Sequence, residues 1–102
     1  MTMAAAYRVE YSVEEYGAIE VYKKDPNGNK LSGAKFKVAN QSHTLYIGPT
    51  DANGYAKVDK VPYGTYTVTE TVFPTGYEAS GQTSWTVTVG ATTQKVTINA
   101  VN

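Results

Sequence analysis

The chain has no cysteine, so neither a disulfide nor a thiolate site can be built from it. It has one histidine, which excludes the usual multi-histidine metal sites. It also lacks any excess of charge: nine Lys and Arg balance nine Asp and Glu. Nucleic-acid binding draws its affinity from neutralising phosphates, so a net charge of zero argues against it. No apolar run approaches the length of a membrane-spanning helix, and no membrane insertion is expected. Leucine is scarce, with only Leu31 and Leu45, whereas Thr, Tyr and Val abound. That bias favours strands over helices. The opening residues MTMAAA lack the charged and apolar segments of a secretory signal. A secreted parent protein would therefore make this chain an excised piece of it.

What is present is period-two alternation over most of 102 residues, a length that suits one domain with one core. Strands are predicted at 18–24, 34–38, 44–47, 55–61, 64–71, 85–89 and 95–101. Turn chemistry separates them: DPNGN at 25–29, TDANGY at 50–55, FPTGY at 73–77. Seven or eight short strands with regular turns are the pattern of a β-sandwich. Tyr7 to Val13 also alternate, which predicts an extra N-terminal strand or extension within residues 1–16, ahead of a main domain at 17–102.

The alternation puts two charges on the wrong face. Ile19 and Val21 point inward, so Lys23 follows them. Tyr66 and Val68 point inward, so Glu70 follows them. Full burial shifts such groups by up to about 3–5 pKa units towards neutrality. Three arrangements answer this pattern: side chains that reach water at strand ends, a buried ion pair, or chemistry. A neutral lysine amine is a nucleophile. A protonated carboxyl can polarise a carboxamide and relay a proton to departing ammonia.

The segment GAIEVYKKDPNGNKLSGAKFKV (17–38) resembles the opening of collagen-adhesin B-type domains, also known as CnaB or SpaA-like pilin domains. There a first strand ends in Lys-x-Asp, followed by a turn and Leu-x-Gly-Ala-x-Phe. TDANGYAKV (50–58) resembles the family's Thr-Asp-x-x-Gly turn. VPYGTYTVTETVFPTGYE (61–78) resembles its Pro-x-Gly-x-Tyr-x-Val-x-Glu segment and the Pro-x-Gly-Tyr after it. The blocks fall in family order across residues 17–102. The resemblance implies an all-β, immunoglobulin-like (prealbumin-like) sandwich. It also implies a spontaneous intramolecular isopeptide bond between Lys23 and an Asn on the last strand, assisted by Glu70. Asn99 fits the family stretch by its neighbours Ile98, Ala100 and Val101. Asn99 is therefore taken as the partner; the alternative, Asn102, keeps the parity of the inward residues Val96, Ile98 and Ala100.

The function so implied is a stalk domain of a cell-wall-anchored adhesin or pilin, extracellular and monomeric, with neighbouring domains of the same protein as partners. Glu70 would act once, on its own chain, so no turnover enzyme is expected, and neither is a cofactor or metal. Alternative readings are a module that recognises a host protein or glycan through surface tyrosines such as Tyr16, Tyr22, Tyr46 and Tyr63, and an engineered ligation domain. Asp25 and Asp51 are read as turn residues rather than calcium ligands. His43 is read as a surface residue and Trp85 as part of the core.

Overall fold

The computed structural model describes residues 15–77 and 81–101. Seven strands make up the order β1 (Tyr16–Lys24), β2 (Lys35–Ala39), β3 (Thr44–Ile47), β4 (Tyr55–Pro62), β5 (Gly64–Val72), β6 (Ser84–Val89) and β7 (Lys95–Val101). The expected strand at Tyr7–Val13 lies outside the described residues.

The strands form two sheets, one ordered β4-β1-β7 and the other β3-β2-β5-β6. In the first, β1 runs antiparallel to β4 and parallel to β7. The second is antiparallel throughout. This is the immunoglobulin-like, prealbumin-type sandwich expected from the sequence.

Alternation explains why the strands stack as they do. Ile19, Val21, Ala56, Val61, Ile98 and Ala100 line the inner face of the first sheet, and Phe36, Val38, Ile47, Tyr66, Val68 and Val89 that of the second. At about 25 cal/mol per Å2 of apolar surface removed from water, this packing is the main force holding the sheets together. The complementary face of β5 carries Thr65, Thr67, Thr69 and Thr71, all exposed. Thr65 and Thr88 meet there through their hydroxyls at 3.0 Å, a cross-strand pair. The Tyr66 hydroxyl donates to the Pro62 carbonyl at 2.6 Å, so the one polar atom of this core tyrosine is satisfied. Trp85 is half-buried rather than enclosed, with its ring 6.1 Å from that of Phe36 at the sandwich margin.

Two bulges adjust the inward pattern. Between Gly17 and Ile19 the partner strand β4 steps from Val61 to Val58. Asp59 and Lys60 thus oppose Ala18 alone, and Lys60 takes φ 56°. The extra residue resets the parity of β4, so Val61 turns into the core three positions after half-buried Val58. A second register shift, at Lys35/Phe36, leaves Phe36 opposite Glu70.

Candidate functional site

Lys23 closes the inner face of β1, and two turns pin its backbone. Its amide donates to the Gly54 carbonyl at 2.7 Å, and its carbonyl accepts from the Leu31 amide at 3.0 Å. Both turns are built by aspartates. Asp25 Oδ1 accepts from the amides of Asn27 and Asn29, and its Oδ2 from the Asn29 carboxamide and the Tyr77 hydroxyl. Asp51 Oδ1 accepts from the amides of Asn53 and Tyr55. The expected turn roles of both residues are seen directly. Among the described residues no three carboxylates or histidines come together as metal ligands would. His43 is exposed, as expected.

Glu70 reaches the same place from β5 in the other sheet. The Lys23 and Glu70 side chains are both fully buried, and the Lys23 ammonium nitrogen lies 3.1 Å from each carboxylate oxygen. Only Oε1 accepts a well-formed hydrogen bond; Oε2 is buried with no hydrogen-bond partner among the described residues. Burial pushes the Glu70 carboxyl above its ordinary value, and the hydrogen bond and charge of Lys23 pull it back only in part. Such a pair is costly to bury and adds little stability as an ion pair alone. The two charges that alternation turned inward do meet, and neither reaches water at a strand end.

The β7 side of the site is less simple. In the parallel register Lys23 stands beside Ala100, and Tyr22 beside Asn99. Ile98 and Ala100 are buried, and Asn99 is exposed. Asn99 therefore shares the outer face with half-exposed Tyr22, and its carboxamide lies across the sheet from the Lys23 ammonium. The neighbours of Asn99 favour it as the partner of Lys23 in the sequence, whereas its place on β7 is the exposed face beside Tyr22. Asn102 lies outside the described residues.

One buried carboxylate went unmarked in the sequence. Glu20 lies on the outer face of β1 yet is only 6% exposed. It accepts from the hydroxyls of Thr97 at 2.8 Å and Tyr55 at 3.0 Å, and Lys95 stands 3.4 Å away. The Thr97 hydrogen bond, with help from Tyr55 and Lys95, outweighs burial and holds this carboxyl below its ordinary 4.5. A carboxyl depressed in the folded state stabilises the fold above its unfolded pKa, and this contribution is lost as pH falls through the folded value. The expected result is that Glu20→Gln unfolds with less acid sensitivity than the parent below pH 4.5. Thermal melts across that range read it. Parallel melting curves for the two proteins would refute it.

Comparison with known proteins gives the fold its context. A family model, the SpaA prealbumin-like fold domain, matches residues 17–102. A search of curated proteins returned no match. Among solved structures, BcpA, the major pilin subunit of Bacillus cereus, superposes with a TM-score of 0.68 at 29% identity, over 85% of this chain and 29% of that one. The pilus adhesin RrgA of Streptococcus pneumoniae gives 0.63 at 32% identity, over 74% of this chain and 9% of that one. The Bacillus anthracis TIE protein gives 0.74 at 24% identity, over 85% of this chain and 16% of that one, a likeness of fold. The chain thus spans less than a third of the length of each of these proteins. With a family model matched along nearly its whole length, the chain belongs to the SpaA family of prealbumin-like fold domains.

Proposed function

We propose that this chain is a structural domain of a pilus or surface adhesin, exposed at the cell wall of a Gram-positive organism, and that a covalent amide ties its first strand to its last. The domain's likeness to a pilin and to a pilus adhesin supports the structural role. The observation that carries the crosslink is the Lys23–Glu70 pair, held at 3.1 Å in an apolar interior with one carboxyl oxygen lacking a hydrogen bond among the described residues.

The chemistry follows from that pair. The Lys23 nitrogen, as a free amine, attacks the carbon of an asparagine carboxamide. A C–N bond forms, the carboxamide C–N bond breaks, and ammonia leaves. Glu70, favoured as the neutral acid by burial, donates to the carboxamide oxygen through Oε2, which accepts no hydrogen bond among the described residues. It takes a proton from the attacking amine and passes one to the leaving nitrogen, so it ends as it began. Asn102 is the better partner, because in the sequence it falls two positions after buried Ala100 and four after buried Ile98, whereas Asn99 is exposed on the outer face.

Such a link would close a loop of about 79 residues. By the chain-entropy relation used for disulfides it would add roughly 4–5 kcal/mol. Because β1 and β7 are adjacent, tension between the two ends would pass through the amide and bypass the strands between. An amide also resists reduction, which suits a chain without cysteine.

Intact mass under denaturing conditions tests this reading. The expected mass is one ammonia below the sequence value, restored by Lys23→Ala, Glu70→Gln or Asn102→Ala and left lowered by Asn99→Ala. An unmodified parent mass would overturn the crosslink and leave Lys23 and Glu70 as a buried ion pair.

A further inference from the structure

The outer face of the first sheet holds a feature that the crosslink does not use. A cavity of about 230 Å3 opens there between β1, β7 and the two aspartate turns, lined by Tyr22, Lys23, Lys24, Lys30, Asn53 and Asn99, the Lys23 side chain itself being fully buried. Lys24 and Lys30 face each other across an isolated antiparallel bridge. Like charges placed directly opposite repel. Neither lysine makes an ion pair among the described residues. The carboxylates close to them in sequence are engaged elsewhere: Glu20 by Thr97, Tyr55 and Lys95, and Asp25 by Asn27, Asn29 and Tyr77. Among the described residues the cavity therefore presents two positive charges without an ion-pair partner. Beside them Tyr22 is 42% exposed, and its ring is braced against Tyr55 at 5.0 Å with a tilt of 49°.

From these observations we infer that this groove is a binding site for an acidic saccharide, with the two lysines meeting the carboxylate or sulfate of the sugar. The ammonium groups supply charge complementarity without fixed geometry. The exposed ring of Tyr22 offers a rigid apolar face for the C–H side of a pyranose. Asn53 and Asn99 each offer a donor and an acceptor, which matches neighbouring sugar hydroxyls. A nucleic acid would need a longer basic track than two lysines in a chain of zero net charge. The inference concerns the outer face alone and stands apart from the crosslink, whose failure would show in the intact mass.

Titration of the isotopically labelled full chain with tetragalacturonate, followed by NMR, tests it. The expected result is saturable shifts centred on Tyr22, Lys24, Lys30, Asn53 and Asn99. Affinity should fall at least about tenfold for neutral maltotetraose, and should fall as salt rises. Binding should be lost in Tyr22→Ala and weakened in Lys30→Gln, an exposed change that leaves the core untouched. The inference is overturned by an absence of shifts or by equal binding of maltotetraose. It is likewise overturned if sodium sulfate or a tetraglutamate peptide reproduces the same shifts, or if full binding persists in Lys30→Gln.

Discussion

Lys23→Ala is expected to melt roughly 15–40 °C below the parent. The amide is worth roughly 4–5 kcal/mol in lost denatured-state freedom, at about 4–8 °C per kcal/mol for a domain near this size. Removing the amine also leaves Glu70 buried without a charge partner. That alone costs about 3–5 kcal/mol when the partner stays ionised. Burial already pushes Glu70 towards the neutral acid, so protonation relieves much of this second cost. The entropic share is therefore the larger one.

A double variant separates the two shares. Lys23→Met with Glu70→Leu replaces the pair by apolar groups of similar bulk. Exchanges of this kind are often neutral or stabilising for a simple buried ion pair. A protein held by an amide should still melt far below the parent after the exchange, because no apolar contact restores the closed loop. Calorimetry on the three proteins decides it. A double variant as stable as the parent would show that the pair contributed electrostatics alone and would count against the covalent link.

The strands and the two buried charges were legible in the sequence because both follow from one local rule, the alternation of faces. Lys23 and Glu70 each sit at the end of a run whose earlier members, Val21 and Val68, are buried. No assignment of long-range contacts was needed to mark them. The turns at Asp25 and Asp51 were legible for a similar reason, since a carboxylate capping its own following amides is short-range chemistry. The choice on β7 was harder because two local signals disagreed: the neighbours of Asn99 point to it and its parity points away. The parallel pairing puts Ala100 beside Lys23 and Asn99 beside Tyr22, which no pattern within β7 alone could show.

Glu20 shows the opposite failure. Alternation puts it outside, correctly, but Tyr55 and Thr97 from the two flanking strands cover it. Pattern within one strand carries no information about which strands lie on either side. The bulge at Asp59 and Lys60 was hidden as well, because a lysine with positive φ leaves no mark of the kind that a glycine would.

Gly54→Ala is expected to cost at least about 3 kcal/mol, and Gly28→Ala only about 1 kcal/mol. Both glycines sit in Asn-Gly turns with positive φ, 71° and 88°. The conformational penalty of a side chain in that region is therefore similar at the two sites. Their surroundings differ. A Cβ on Gly28 meets nothing within 4 Å, whereas one on Gly54 would overlap the carbonyl oxygen of Lys23. That oxygen belongs to backbone and cannot swing aside. The same Lys23 residue donates its amide to the Gly54 carbonyl at 2.7 Å, so relief of the overlap breaks a strand contact. The turn at 51–55 thus fixes where Lys23 sits along β1, and through it where the amine meets Glu70. Chemical denaturation measures the two costs, and their difference isolates the overlap from the backbone conformation that both share. Mass spectrometry of the same samples should show a larger uncrosslinked fraction for Gly54→Ala than for Gly28→Ala, since bond formation depends on the position of the amine. Equal stability losses for the two variants would mean that the close approach of Gly54 does not hold Lys23 in place.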